Sequence, residues 1–189
     1  FSSPRIQSVL MAPTGNIWVA TMDHGIALLR EDPARPGNYS VKKFGQNEGL
    51  KDLNITTLRA DGKGNAWFGT QSGGFGFFEA EKLKASFGGV KNGLPELPIR
   101  AMVFDLSGRL WLGFRGGGVW GGRSADLESG KTARFLPLPA QLASQNIYLL
   151  QPDLAGHLWV GTEKGVDEVI FELDQTNTVK EVRHYGRSE

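Results

Sequence analysis

An all-β fold of four four-stranded antiparallel blades is predicted, and three observations predict it. A tryptophan recurs at 18, 67, 111 and 159, with spacings of 49, 44 and 48 residues. An isoleucine stands twelve positions before each, at 6, 55, 99 and 147, and a glycine three before each, at 15, 64, 108 and 156. Glycine makes up 26 of 189 residues, about twice its usual share. β-Branched and aromatic residues fill the segments between, the composition of short strands joined by tight turns.

Each repeat reads as four strands. In the second copy, "ITTLRADGKGNAWFGTQSGGF", Ile55–Ala60 makes the first strand and "DGKGN" a tight turn. Gly64 takes the positive φ that such a turn needs. Residues 65–70 make the second strand, "QSGG" turns again, and Phe75–Glu79 is the third. A fourth strand closes on an aromatic at Phe87, matched by Phe44, Phe135 and Tyr185 in the other copies. No stretch carries a long helical period. The blades span about 1–48, 49–92, 93–140 and 141–189.

Second strands such as "IWVAT" and "LWLGF" are apolar almost throughout and do not alternate. A sheet of that kind is covered on both faces. Blades packed radially achieve this, so the expected architecture is a β-propeller. Trp18, Trp67, Trp111 and Trp159 are expected to fill the wedges between blades, and Gly15, Gly64, Gly108 and Gly156 to make the turns. The small residue two positions after each tryptophan (Ala20, Gly69, Gly113, Gly161) is expected to leave room for the ring.

The formal net charge is +1, which gives no electrostatic reason for a nucleic-acid partner. There is no cysteine, so disulfides and thiolate metal sites are excluded. No run approaches the roughly 20 apolar residues of a membrane helix. The opening "FSSPRIQS" has neither an initiator Met nor an apolar signal region, so the chain is expected to be a piece of something longer.

The segment "NEGLKDLNITTLRADGKGNAWFGTQSGGF" resembles the two-component regulator propeller repeat. The pattern is carried by Gly49, Leu50, Asn54, Asp61, Gly64, Trp67, Gly69, Thr70 and Gly74. The third repeat keeps Asp105 but has Phe114 in place of the Thr; the fourth keeps Asp153 but lacks the Gly-Leu; the first has Ala12 for the Asp and Ala20 for the Gly. The resemblance implies an extracytoplasmic, periplasmic sensor module of a bacterial membrane regulator, such as a sensor or hybrid histidine kinase. It also implies a signalling domain elsewhere in the same polypeptide and a small ligand, plausibly an oligosaccharide. The alternatives are a propeller enzyme similar to streptogramin lyases and a protein-interaction or dimerisation scaffold. The resemblance further implies more blades than four, so these are expected to form part of a larger ring of about seven, in which the remaining blades or a second copy would cover the end blades.

Propeller geometry sorts the loops. Second-to-third-strand loops and blade connections share one face, where ligands bind. The candidates there are Asp23 and His24, Asn54, Gln71 and Ser72, Arg115, Asn146, and Glu163 and Lys164, with Trp120 as a sugar-stacking candidate. They differ between blades while the frame repeats, the pattern of a site grafted on a scaffold. Asp61, Asp105 and Asp153 read as turn residues that accept their own backbone N–H groups. His24, His157 and His184 fall on three different parts of the blades, so no shared metal site is expected. No cofactor motif, nucleophile elbow or P-loop is present, and no catalytic residue is assigned.

Overall fold

The computed structural model describes residues 5–87, 90–131, 133–172 and 175–186; the side chains of residues 85–87, 91 and 175–177 lie outside the described set, Phe87 among them. The chain divides into two compact units, Phe1–Gly88 and Gly89–Glu189. Each unit holds two four-stranded antiparallel sheets.

In the first unit, β1 (Ile6–Met11), β2 (Ile17–Thr21), β3 (Ile26–Glu31) and β4 (Tyr39–Phe44) form one meander. β5 (Ile55–Ala60), β6 (Ala66–Thr70), β7 (Phe75–Glu79) and β8 (Lys82–Phe87) form the next. β5 packs against β1 and β2. The two sheets bury a shared core of Trp18, Ala20, Leu28, Phe44, Ile55, Leu58, Phe68 and Phe78. The Trp18 ring lies 5.7 Å from Phe44 of its own sheet and 4.9 Å from Phe78 of the next. It fills a wedge between blades, as expected.

In the second unit, β9 (Ile99–Phe104), β10 (Arg109–Phe114), β11 (Gly118–Arg123) and β12 (Leu136–Pro137) form the third sheet. β13 (Ile147–Pro152), β14 (Leu158–Thr162), β15 (Gly165–Glu172) and β16 (Gln175–Tyr185) form the fourth. Trp111 stacks on Phe171 of the neighbouring sheet, with ring centroids 5.6 Å apart at 27°. Within each unit the leading tryptophan thus rests on the third strand of the blade that follows it.

Two local expectations are corrected. The third blade does not complete its fourth strand: a five-residue helix, α1 (Ser124–Glu128), follows β11, and only two residues pair as β12. Phe135 therefore precedes the strand instead of ending it, yet it is buried at 2% exposure. The small residue after Trp111 also has a different job. A Cβ on Gly113 would lie 2.6 Å from Ile147 Cγ2, so Gly113 makes room for the first strand of the next blade. Room for Trp111 comes from Gly121 on the adjacent strand, where a Cβ would lie 2.6 Å from the indole. Gly64 is needed for conformation alone: its φ is +83° and nothing lies within 4 Å of a Cβ placed there.

Candidate functional site

At one end of the first unit's sheets, the β6–β7 loop meets the connection that leads into β5. The Gln71 amide donates to the Asn54 carbonyl at 3.0 Å. Asp52 fastens the two segments. One carboxylate oxygen accepts the Asn54 amide at 2.8 Å, and the other accepts the Ser72 amide at 3.0 Å and the Ser72 hydroxyl at 2.7 Å. Burial works to raise the Asp52 carboxyl. The hydrogen bonds from the Ser72 hydroxyl, the Asn54 and Ser72 amides and the Thr70 hydroxyl outweigh it and hold the group below its ordinary range. The Asn54 side-chain oxygen is buried and meets no donor among the described residues. The β2–β3 loop joins the same end: the Gly25 amide donates to the Leu53 carbonyl, and His24 Nδ1 lies 2.7 Å from Asp23.

The second unit builds its equivalent from other side chains. Arg115 forms an antiparallel bridge with Asn146, and the Gly116 and Gly118 amides both donate to the Gln145 carbonyl. Glu163 accepts the Ser144 hydroxyl at 2.7 Å and the Asn146 amide at 2.8 Å. These two bonds lower the Glu163 carboxyl against a small opposing desolvation, with help from Lys164. The Lys164 amide is held by the Thr162 hydroxyl. Arg115, Asn146 and Glu163 are therefore brought together, with Lys164 adjacent in the loop.

Trp120 is not part of this group. Its indole donates to the Gly117 carbonyl at 2.9 Å, and its ring lines a cavity of about 500 Å³ with Asn92, Phe135 and Pro137. Sequence reasoning missed Asp52 and Ser144, the residues that hold Asn54 and Asn146 in place. The signal was present as an Asp or Ser two positions before an Asn that opens a first strand, the spacing of an Asx or Ser turn.

The opposite end of three of the four sheets carries a different and repeated device. In the second blade, Asp61 accepts the Lys63 and Asn65 amides through one oxygen and the Trp67 indole through the other, each at 2.9 Å. Asp105 does the same with Ser107, Arg109 and Trp111, and Asp153 with Ala155, His157 and Trp159, again at 2.9 Å. The expected turn-capping role holds. The bond to the indole, which locks the turn to the core ring, was not foreseen. In the second unit a cavity of about 410 Å³ opens at this end, lined by Ser107, Trp111, His157, Phe171 and Lys180 among others.

His157 Nδ1 lies 3.0 Å from Glu168 and 3.3 Å from Asp153. The three groups converge, but both Asp153 oxygens already accept N–H groups, and Glu168 also takes the Tyr185 hydroxyl at 3.0 Å. The arrangement is a hydrogen-bonded polar cluster that joins the β13–β14 turn to β15 and β16.

Acid is expected to act through the capped carboxylates. Asp52 and Asp153 both titrate below their ordinary range when folded; for Asp153, burial again pulls upward and the Trp159 indole and His157 amide outweigh it. A depressed folded value means that the stabilisation is fully present above the unfolded value of about 3.9 and is lost as pH falls through the folded one. Thermal midpoints should hold from neutral pH to about 5 and fall steeply below about 4. The Asp52→Asn variant should show a shallower fall; an identical pH profile would contradict the assignment.

No protein-family model and no curated protein sequence matches the chain. Solved structures do match. The extracellular domain of the hybrid two-component system BT4673 from B. thetaiotaomicron superposes with a TM-score of 0.71 at 15% identity, covering 95% of this chain and 25% of that one. Virginiamycin B lyase from Staphylococcus aureus gives 0.68 at 13%, covering 97% and 56%. PorZ, a surface component of the type-IX secretion system of Porphyromonas gingivalis, gives 0.64 at 16%, covering 96% and 27%. The chain spans about a quarter of the two-component structure it matches. At these identities the likeness is one of fold, and the fold of this chain is that of four β-propeller blades.

Proposed function

We propose that the chain is a ligand-sensing segment of a larger extracytoplasmic propeller in a bacterial signal-transduction protein. The observation that carries this reading is the contrast between a frame that repeats and loop ends that do not. Asp23 and His24, Asn54, Gln71 and Ser72, and Arg115, Asn146, Glu163 and Lys164 occupy equivalent loops with different chemistry, held in place by Asp52 and Ser144. Mixed donors and acceptors of this kind suit a hydroxyl-rich ligand, and an oligosaccharide is our choice. The fold likeness to extracellular domains of hybrid two-component systems supports the sensor role.

Blades at 1–48, 49–92, 93–140 and 141–189 would continue into further blades or meet a second copy. Ile6, Val9 and Met11 on β1, and Leu149, Val166 and Tyr185 in the fourth sheet, are exposed apolar side chains suited to such cover. No helix among the described residues is long and apolar enough to cross a membrane. In this reading the anchor and signalling domain belong elsewhere in the polypeptide.

The test is thermal denaturation against a panel of oligosaccharides. A ligand at a hundredfold its Kd stabilises by about 2.7 kcal/mol. A ligand held by the first unit's loops should lose the stabilisation in Asn54→Ala, and one held by the second unit's loops in the double variant Arg115→Ala and Glu163→Ala. If no oligosaccharide shifts the midpoint, the ligand reading fails and a scaffold role replaces it.

A further inference from the structure

The first blade keeps the repeated turn but lacks its carboxylate. The Ala12 amide donates to the Asn16 carbonyl at 2.8 Å and the Gly15 amide to the Ala12 carbonyl at 2.9 Å, as in the blades that carry Asp61, Asp105 and Asp153. Gly15 has the same positive φ, +82°. Trp18 is buried like Trp67 and Trp111, at 3% exposure. The donors that surround the carboxylate elsewhere are therefore all present: the Thr14 and Asn16 amides and the Trp18 indole N–H. Among the described residues none of them meets an acceptor, because a methyl group stands where the acid should be.

A cavity of about 280 Å³ opens there, lined by Ala12, Thr14, Asn16, Trp18, Phe78 and Glu81 among others. Water takes up about 30 Å³ in the liquid, so a small organic anion has ample room. The donors are open to water, with Thr14 exposed and the Trp18 indole N–H not sealed off, so a carboxylate entering the cavity exchanges neutral hydrogen bonds for stronger charge-assisted ones. Glu81 comes closest to doing so from the neighbouring blade. Its carboxylate is instead taken up by the Asn16 side chain at 2.7 Å and by an ion pair with Arg30, and it makes no hydrogen bond to the indole. That pairing offsets the charge that would otherwise repel an anion from the cavity.

We propose that this turn is a receptor for a small monocarboxylate of formate or acetate size. One oxygen would take the Thr14 and Asn16 amides and the other the Trp18 indole, the division seen three times within the same chain. A two-oxygen planar acceptor matches that division, whereas a single hydroxyl oxygen reaches only one side of it. The site lies at the opposite end of the sheet from the loops of the proposed sensor site and is independent of them.

The test is an NMR titration of the five tryptophan indole N–H signals with sodium formate, with sodium chloride at matched ionic strength as control. Trp18→Phe identifies the Trp18 signal by its loss. Formate, and not chloride, should move that one signal downfield to saturation. In Ala12→Asp the signal should already be shifted, should no longer respond, and should accompany a higher melting temperature. Ala12→Asn, which brings a neutral acceptor, should also remove the response and serves if the aspartate variant folds poorly. A Trp18 signal that ignores formate, or that responds equally in the filled variants, would overturn the proposal.

Discussion

Trp111→Ala is expected to destabilise the second unit by about 3–5 kcal/mol, the range for removing a large aromatic from a core. The ring is 2% exposed and stacks on Phe171 of the adjoining blade. Its other side faces Gly121, which has no side chain with which to close the gap. The hole would therefore persist, and a persistent hole costs more than the transfer of the atoms alone. Trp111→Phe should keep part of the packing but leave one Asp105 oxygen without its donor, a penalty of about 1–3 kcal/mol. Urea denaturation of the three proteins checks the order alanine, phenylalanine, wild type. A Trp111→Ala midpoint within error of wild type would remove the wedge role.

Asp105→Ala should cost about 2–4 kcal/mol, since hydrogen bonds to a charged acceptor contribute about 1.5–3 kcal/mol each before the losses overlap. The carboxylate accepts the Ser107 amide and hydroxyl, the Arg109 amide and the Trp111 indole. Deleting it strands a buried indole and loosens a turn at once. Asp105→Asn keeps one acceptor oxygen and should fall midway. The double variant Asp105→Ala with Trp111→Phe should be milder than the sum of the single changes, because both remove the same bond. Strict additivity would show that the carboxylate caps the turn and nothing more. The first blade shows that a turn of this shape forms without the acid, so Asp105→Ala is expected to fold.

The fold was legible because its signals are local and repeated. A tryptophan between apolar residues, with a turn glycine three positions earlier, specifies a strand and its hairpin four times over. What the sequence could not show was contact across strands. The expected clearance at Gly113 was assigned to the nearest ring in sequence, whereas the space belongs to Ile147, reached only once the blades pack. The Asp–Trp bond was hidden for the same reason: a six-residue separation says little until the hairpin folds the indole back over its turn. α1 escaped notice because five residues are too few to display a helical period.

At the candidate site, the loop positions of Asn54, Gln71, Arg115, Asn146 and Glu163 followed from the blade geometry. Their orientation did not, since it depends on Asp52 and Ser144 in the connections. For Trp120, the sequence left packing on the blade and stacking on a sugar both open, because its partner strand, two residues long, was not visible. Its indole turns back to its own loop and its ring to the outer edge of the blade.

Amide hydrogen exchange of the chain, with and without the oligosaccharide that gives the largest thermal shift, tests the central claim most directly. Both ends of the sheets offer polar groups; the loop end differs in every blade, whereas the turn end repeats in three of the four. Protection confined to the loop end of a unit, residues 22–25, 53–54 and 71–74 of the first or 115–118, 145–146 and 163–165 of the second, is the predicted result. Protection at residues 105–108 and 155–157, around the 410 Å³ cavity, would contradict it and move the binding site to the turn end of the blades.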